Sequence, residues 1–372
     1  MNTIKNDEKD IIFNKLLNIS FNQDNSCFSV STEKGFKIYE TFPFQREYEK
    51  NIGGGLRITE MYYHSNILAL VSGGESPKFS QRKLIIWDDS LNKEIKEINF
   101  FQNIKNVKMK KENIYIICED NIYIFNLKTL ENIEIINTLE NHKGIFSINS
   151  DEKNDVIAYL GIKNDLDNNK KGIDIIIKNY ENSLTSIINY KEDVVSYICL
   201  NSSGNLLAVA NEKGNEIKIY NCLNGDLMGD LHRGNEKAEI NYICFDKLTN
   251  YLAVTSDRGT IHIWSMKTFL QKLIDFNKNN INKENFDKKE ENGENDKINN
   301  EINELPINKK LMFSQSEISF GKIRINTKKS ICSFQGNNII VVVTYEGIYY
   351  RAKFDNKLGG DCQIIEQKDL KI

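Results

Sequence analysis

Gly259-Thr260-Ile261-His262-Ile263-Trp264 opens on a glycine and then alternates β-branched and aromatic residues. A period of two places Thr260 and His262 on one face of a strand and Ile261 and Ile263 on the other. A second run of the same character, Tyr251-Leu252-Ala253-Val254, stands about ten residues earlier, and turn residues separate the two, so the pair reads as adjacent antiparallel strands. The unit recurs on both sides. Upstream it appears as Glu216-Ile217-Lys218-Ile219-Tyr220 behind Leu206-Leu207-Ala208-Val209, as Gly172-Ile173-Asp174-Ile175-Ile176-Ile177 and as Asn121-Ile122-Tyr123-Ile124-Phe125. Further upstream come Lys83-Leu84-Ile85-Ile86-Trp87-Asp88 behind Ile67-Leu68-Ala69-Leu70-Val71, and Glu33-Lys34-Gly35-Phe36-Lys37-Ile38-Tyr39 behind Cys27-Phe28-Ser29-Val30. Downstream the last copy is Gly347-Ile348-Tyr349-Tyr350, which makes seven.

Most copies are spaced roughly 40–50 residues apart, the period of a four-stranded propeller blade. One blade cannot bury both of its faces, but a closed stack can. The expected fold is therefore all-β, a seven-bladed, WD40-like β-propeller; in a pair of sandwiches the fixed period would be a coincidence. The interval between the sixth and seventh copies is nearly doubled by residues 267–318. Its middle, Lys278 to Glu304, is almost entirely Asn, Lys, Glu, Asp and Ile. Such a composition cannot bury enough apolar surface to offset the entropy of ordering, and it reads as a disordered loop inserted in blade six. The expected organisation is a flexible tail over residues 1–10, the propeller over 11–366 and a C-terminal tail over 367–372.

Of the 372 residues, 49 are Lys or Arg and 52 are Asp or Glu. That balance provides no global basic field for nucleic acid, although a local patch can still hold phosphate. The seven cysteines are scattered without a CxxC spacing, most of them in strand-like runs such as Ile198-Cys199-Leu200. They read as buried free thiols in a reducing compartment. The polar N-terminus has no signal-peptide pattern, and no apolar run approaches the ~18 residues of a membrane span. The expectation is a cytoplasmic protein whose membrane contact is peripheral. Enzyme signatures are missing: no nucleophile elbow, P-loop or His-Glu-x-x-His occurs, and Gly53-Gly54-Gly55 lacks the Lys-Ser/Thr that would make it a phosphate loop. No cofactor or metal is expected.

Several ordered stretches resemble one family. Phe21 to Phe28, leading into Thr32-Glu33-Lys34-Gly35-Phe36, is similar to the first blade of the PROPPINs, the phosphoinositide-binding WIPI-type propellers of autophagy. Leu68-Ala69-Leu70-Val71 through Asp89 resembles their second blade, and Ser330-Ile331-Cys332-Ser333-Phe334 their seventh. Leu231-His232-Arg233-Gly234 falls where the family has Phe/Leu-Arg-Arg-Gly, and Ser256 to Ile263 matches the strand after it. The similarity covers nearly the whole chain, except the insert and blades three and four, where it is weak.

The resemblance implies two shallow rim sites for phosphatidylinositol 3-phosphate or 3,5-bisphosphate, each receiving one signature arginine. Arginine's planar fork of donors suits a phosphomonoester, and hydroxyls and histidine add further bonds. For the site in blade six it implies Arg233, Ser256, Thr260 and His262. The site in blade five departs from the pattern: His232 replaces the first arginine, Asn211 and Asn215 replace Ser and Thr, and Lys191 stands where His is usual. That site binds weakly, takes a different headgroup or is lost. The insert implies a membrane-entering segment, with Phe269, Leu270, Leu273, Ile274 and Phe276 as its apolar residues and Lys267 and Lys272 beside them. The implied role is recruitment of autophagy scaffold or lipid-transfer proteins to preautophagosomal, endosomal or vacuolar membranes. Trp87-Asp88, the dipeptide of ordinary WD40 blades, keeps a protein scaffold without a lipid role as the alternative.

Overall fold

The computed structural model describes residues 15–162, 172–192, 194–271, 317–336 and 338–372. Seven antiparallel sheets follow one another along the chain, and neighbours in sequence are neighbours in the sheet. Blade one runs from its inner strand Leu16–Phe21 through Cys27–Thr32 and Gly35–Glu40 to its outer strand Gln45–Asn51. The first strand of blade seven, Ser330–Phe334, lies against that of blade one and closes the ring. The seven-bladed propeller read from the repeat is the observed fold.

Burial is greatest at the second strand of a blade and falls toward the rim. The second strands Cys27–Thr32, Val156–Gly161 and Leu206–Asn211 are buried at every position, because neighbouring blades cover both faces. The outer strands Gln45–Asn51 and Lys93–Asn99 are mostly exposed and carry charge, which discourages pairing with another chain. Faces alternate residue by residue in blade six. Leu252, Val254 and Trp264 pack against Ala208, Ala210, Ile217 and Ile219 of blade five. Ala253, Ile261, Ile263 and Ile323 turn the other way, onto Cys332, Ile340 and Val342 of blade seven.

The insert lies between the third strand of blade six, Thr260–Ser265, and its outer strand, Gly321–Arg324. The stretch Lys278 to Glu304 and the residues Lys272, Leu273, Ile274 and Phe276 lie outside the described residues, as does the expected tail 1–10. Residues 266–271 form a helical turn. Met266, Phe269 and Leu270 share one side of it and pack into the interface between blades five and six, with Phe269 only 3% exposed. Phe269 therefore belongs to the core and its expected place in a bilayer-entering segment is corrected, while Leu270 is half-buried against the same cluster.

Two short strands extend the rim. Glu317–Ile318, at the exit of the insert, pairs in parallel with Leu231 and His232 on the edge of blade five. Gly360–Asp361 pairs in parallel with Gly321 and Lys322 on the edge of blade six. The expected C-terminal tail is also corrected. Blade seven's outer strand runs Gln363–Asp369, and Leu370 is buried against blade one. The Leu370 carbonyl accepts a bond from Tyr39 Oη, and the Lys371 carbonyl one from Lys37 Nζ at 2.9 Å.

Candidate anion-binding site

In blade six the second strand, Tyr251–Ser256, pairs with the third so that Val254 stands opposite His262. The third pairs with the outer strand so that Thr260 stands opposite Arg324 and His262 opposite Lys322. Residues paired across a sheet share a face, and every second residue repeats it. Ser256, Thr260, His262, Lys322 and Arg324 thus occupy the face that looks toward blade five. The turn between Ser256 and Thr260 requires Gly259: its φ is +68°, and a Cβ there would lie 2.3 Å from the carbonyl oxygen of Ile325. Ser256 ends its strand, is buried, and accepts a bond from Arg258 N at 3.4 Å.

Arg233 leaves the end of blade five's outer strand, Leu227–His232, and enters the same cleft. The arginine is only 9% exposed. Its Nε donates to Gly214 O at 2.5 Å and its Nη2 donates to Glu236 O. The blade-five turn at Gly214 and the loop after Gly234 curl over the guanidinium and draw on its donors. Nη1 has no hydrogen bond among the described residues.

His262 is held neutral. Burial is the largest cause, and the charges of Arg233, Lys322 and Arg324 add to it, pushing the imidazole down to about 4. Its Nδ1 lies 3.1 Å from Ser319 Oγ, and its ring stacks on Trp264 at 5.7 Å. Trp264 Nε1 donates to Glu317 O at 3.1 Å, which ties the exit of the insert to the site. Arg324 pairs with Asp361 at 3.3 Å, both side chains being largely exposed, and such a pair holds little energy. Lys322 has no ion-pair partner among the described residues. Three hydroxyls, an imidazole, an ammonium and two guanidinium groups thus line one cleft, with the Asp361 carboxylate paired to one of them. That inventory suits a phosphate dianion.

All four residues expected in blade six come together. Lys322, Arg324 and Ser319 were missed. The only sequence signal for them is the alternation Gly321-Lys322-Ile323-Arg324, which lies beyond the long insert.

The residues expected in blade five are placed differently. Asn211 Nδ2 donates to Asn215 Oδ1 at 3.0 Å, and Gly214 N donates to Asn211 Oδ1 at 2.7 Å. The two amides therefore close their own turn. His232 stands opposite Glu216, facing blade four, with Nε2 3.1 Å from Asn235 Oδ1. Lys191 is exposed on the connection between blades four and five, and no bond joins it to the other three among the described residues.

A family model described as PROPPIN matches residues 15–371. Autophagy-related protein 18 of Dictyostelium discoideum is 27% identical over 366 residues, covering 95% of this chain and 93% of that protein. SVP1-like protein 2 of Saccharomyces cerevisiae is 31% identical over 281 residues, which cover 68% of this chain but 63% of that protein. The SVP1-like protein 2 of Debaryomyces hansenii is likewise matched over 66% of its length. Among solved structures, Kluyveromyces lactis Hsv2 superposes with a TM-score of 0.71 at 19% identity, covering 96% of this chain and 99% of that one. At these identities the structural match speaks to the fold.

Proposed function

Because the chain belongs to the PROPPIN family, we propose that it binds the phosphorylated headgroup of a phosphoinositide, phosphatidylinositol 3-phosphate or 3,5-bisphosphate, on membranes and recruits autophagy machinery there. The observation that carries the proposal is the shared face of blade six. Thr260, His262, Lys322 and Arg324 converge on it, and Arg233 enters from blade five. No core requirement explains two cations on one face of an edge strand beside a buried arginine; a phosphate does. The membranes in question are preautophagosomal, endosomal or vacuolar.

The test is flotation with vesicles of phosphatidylcholine and phosphatidylserine, with and without each phosphoinositide. The natural chain floats only with the phosphoinositide, and Lys322→Ala with Arg324→Ala reduces binding more than tenfold, as loss of bonds to a charged group worth roughly 1.5–3 kcal/mol each requires. Equal flotation by the double variant, with an unchanged circular dichroism spectrum, sinks the proposal.

A protein-docking role beside the lipid role, distinct from the scaffold without a lipid role, is supported by a separate feature. Ile67, Ile86 and Ile95 of blade two and Leu127 and Leu130 of blade three line an apolar cleft between these blades. A solved Atg21 with the same fold forms a complex with a coiled coil of Atg16. A protein partner docking in this cleft is compatible with lipid binding at blade six. Ile95→Asp would abolish partner capture while leaving flotation intact.

A further inference from the structure

We infer that the cleft between blades four and five excludes a phosphorylated headgroup, so that the chain engages one phosphoinositide, through blade six alone; Glu192, Glu216 and Asp230 are the residues that set this stoichiometry. The inference deepens the phosphoinositide reading and rests on it.

The two blades can be compared position by position, because their registers are equivalent. In blade five Val209 stands opposite Lys218, Glu216 opposite His232 and Lys218 opposite Asp230. Asn211, Glu216, Lys218, Asp230 and His232 therefore occupy the places that Ser256, Thr260, His262, Lys322 and Arg324 hold in blade six. Tyr220 stands for Trp264. Blade six thus presents two hydroxyls, an imidazole and two permanent cations. Blade five presents an amide, a carboxylate, one ammonium, a second carboxylate and an imidazole. Glu192, on the connection from blade four, supplies a third carboxylate.

The one lysine on this face of the blade-five strands, among the described residues, is already engaged. Lys218 Nζ lies 2.9 Å from Glu192 Oε1 and 5.4 Å from the centre of the Tyr190 ring. Asp230 holds its proton more tightly than an ordinary carboxyl, chiefly through burial, with Lys218 opposing and Glu216 and Glu192 adding to the effect. Its Oδ1 is buried without a hydrogen bond, and so is the hydroxyl of Tyr190, itself 1% exposed. Burial first, then the charge of Glu192, with Glu216 and Asp230 further down, raises that tyrosine's proton affinity. A phosphomonoester carrying up to two charges would meet three carboxylates, an ammonium that already has a partner and, on the connection from blade four, only the exposed Lys191. His232 does not compensate, since Asn235 lies within hydrogen-bonding distance of its Nε2.

Calorimetric titration with short-chain soluble phosphatidylinositol 3-phosphate tests this on the natural chain. One headgroup per chain is expected, and Lys322→Ala with Arg324→Ala abolishes it. The triple variant Glu216→Thr, Asp230→Lys, His232→Arg, checked for folding by circular dichroism, is expected to take up a second headgroup and to float at least tenfold more strongly. Two headgroups on the natural chain, or one remaining after the loss of Lys322 and Arg324, overturns the inference while leaving phosphoinositide binding standing. No binding to any phosphoinositide overturns the reading beneath it, and the inference with it.

Discussion

His262 titrates far below an ordinary histidine, and this has consequences for both stability and binding. The unfolded chain takes up a proton at this residue near pH 6.5, and the native chain only near 4. Between those values the unfolded state binds more protons, so stability rises with pH. The protein loses roughly 3 kcal/mol from this group as pH falls from 7 to 4, and His262→Gln flattens that part of a urea-unfolding pH series. A phosphate dianion beside the ring acts in the opposite sense, favouring the imidazolium. Headgroup binding near neutral pH should therefore take up protons, seen as a calorimetric dependence on buffer ionisation heat, and His262→Gln should remove that part. Arg233 behaves differently from its cleft neighbours, because its donors also serve the Gly214 and Glu236 carbonyls. Arg233→Ala should lose headgroup binding and also about 1–3 kcal/mol of stability, whereas loss of Lys322 and Arg324 should leave the melting temperature nearly unchanged. The sequence pointed to Arg233, Ser256, Thr260 and His262 because they sit in one hairpin and one signature. It was silent on Lys322 and Arg324, whose place is fixed by pairing across a long insert, and on the burial of Arg233, which a neighbouring blade imposes.

At the level of elements, the helical turn over residues 266–271 separates two readings of an apolar run. The sequence shows amphipathicity but not what covers the apolar side, and Phe269 was assigned to lipid when the blade-five interface already holds it. Phe269→Ala should cost about 3–5 kcal/mol in a denaturant titration, with little effect on flotation at temperatures where the variant stays folded. A lipid anchor would show the reverse: unchanged stability and weaker flotation. The strands themselves were legible where both faces are buried, as in Leu206–Asn211, or where turn residues bracket an alternation, as in Thr260–Ser265. The two-residue additions Glu317–Ile318 and Gly360–Asp361 are too short to carry any periodicity. Only the exposed edges that they cover give them a reason to form.

For the whole molecule, the repeat announced seven blades but not how the ring is closed. The four main strands of each blade follow one another along the chain, blades five and six each gain a two-residue strand from further on, and no strand is shared between blade seven and blade one. Side chains make the junction. Leu370 joins the packing of Ile19, Phe28 and Tyr39 against Ile331, Val341 and Val343. Tyr349 Oη donates to Thr41 O at 2.7 Å, and Tyr345 Oη to Asn18 Oδ1 at 2.8 Å. Removing residues 370–372 should therefore lower stability by at least about 3 kcal/mol, measured as a shift in the urea midpoint; a midpoint within error of the full chain would show that the last residues do not clasp blade one. The arrangement also bears on kinetics. Each blade from one to six completes its four main strands before the next begins, and only the short rim strands on blades five and six come from further on, so the sheets can form in order as the chain leaves the ribosome. The contacts between Tyr39, Thr41, Tyr349 and Leu370 must then be the last to form in synthesis and the first to part in a partial opening. Amides beside them should exchange with solvent through a sub-global event of lower free energy than that which exposes the second strands.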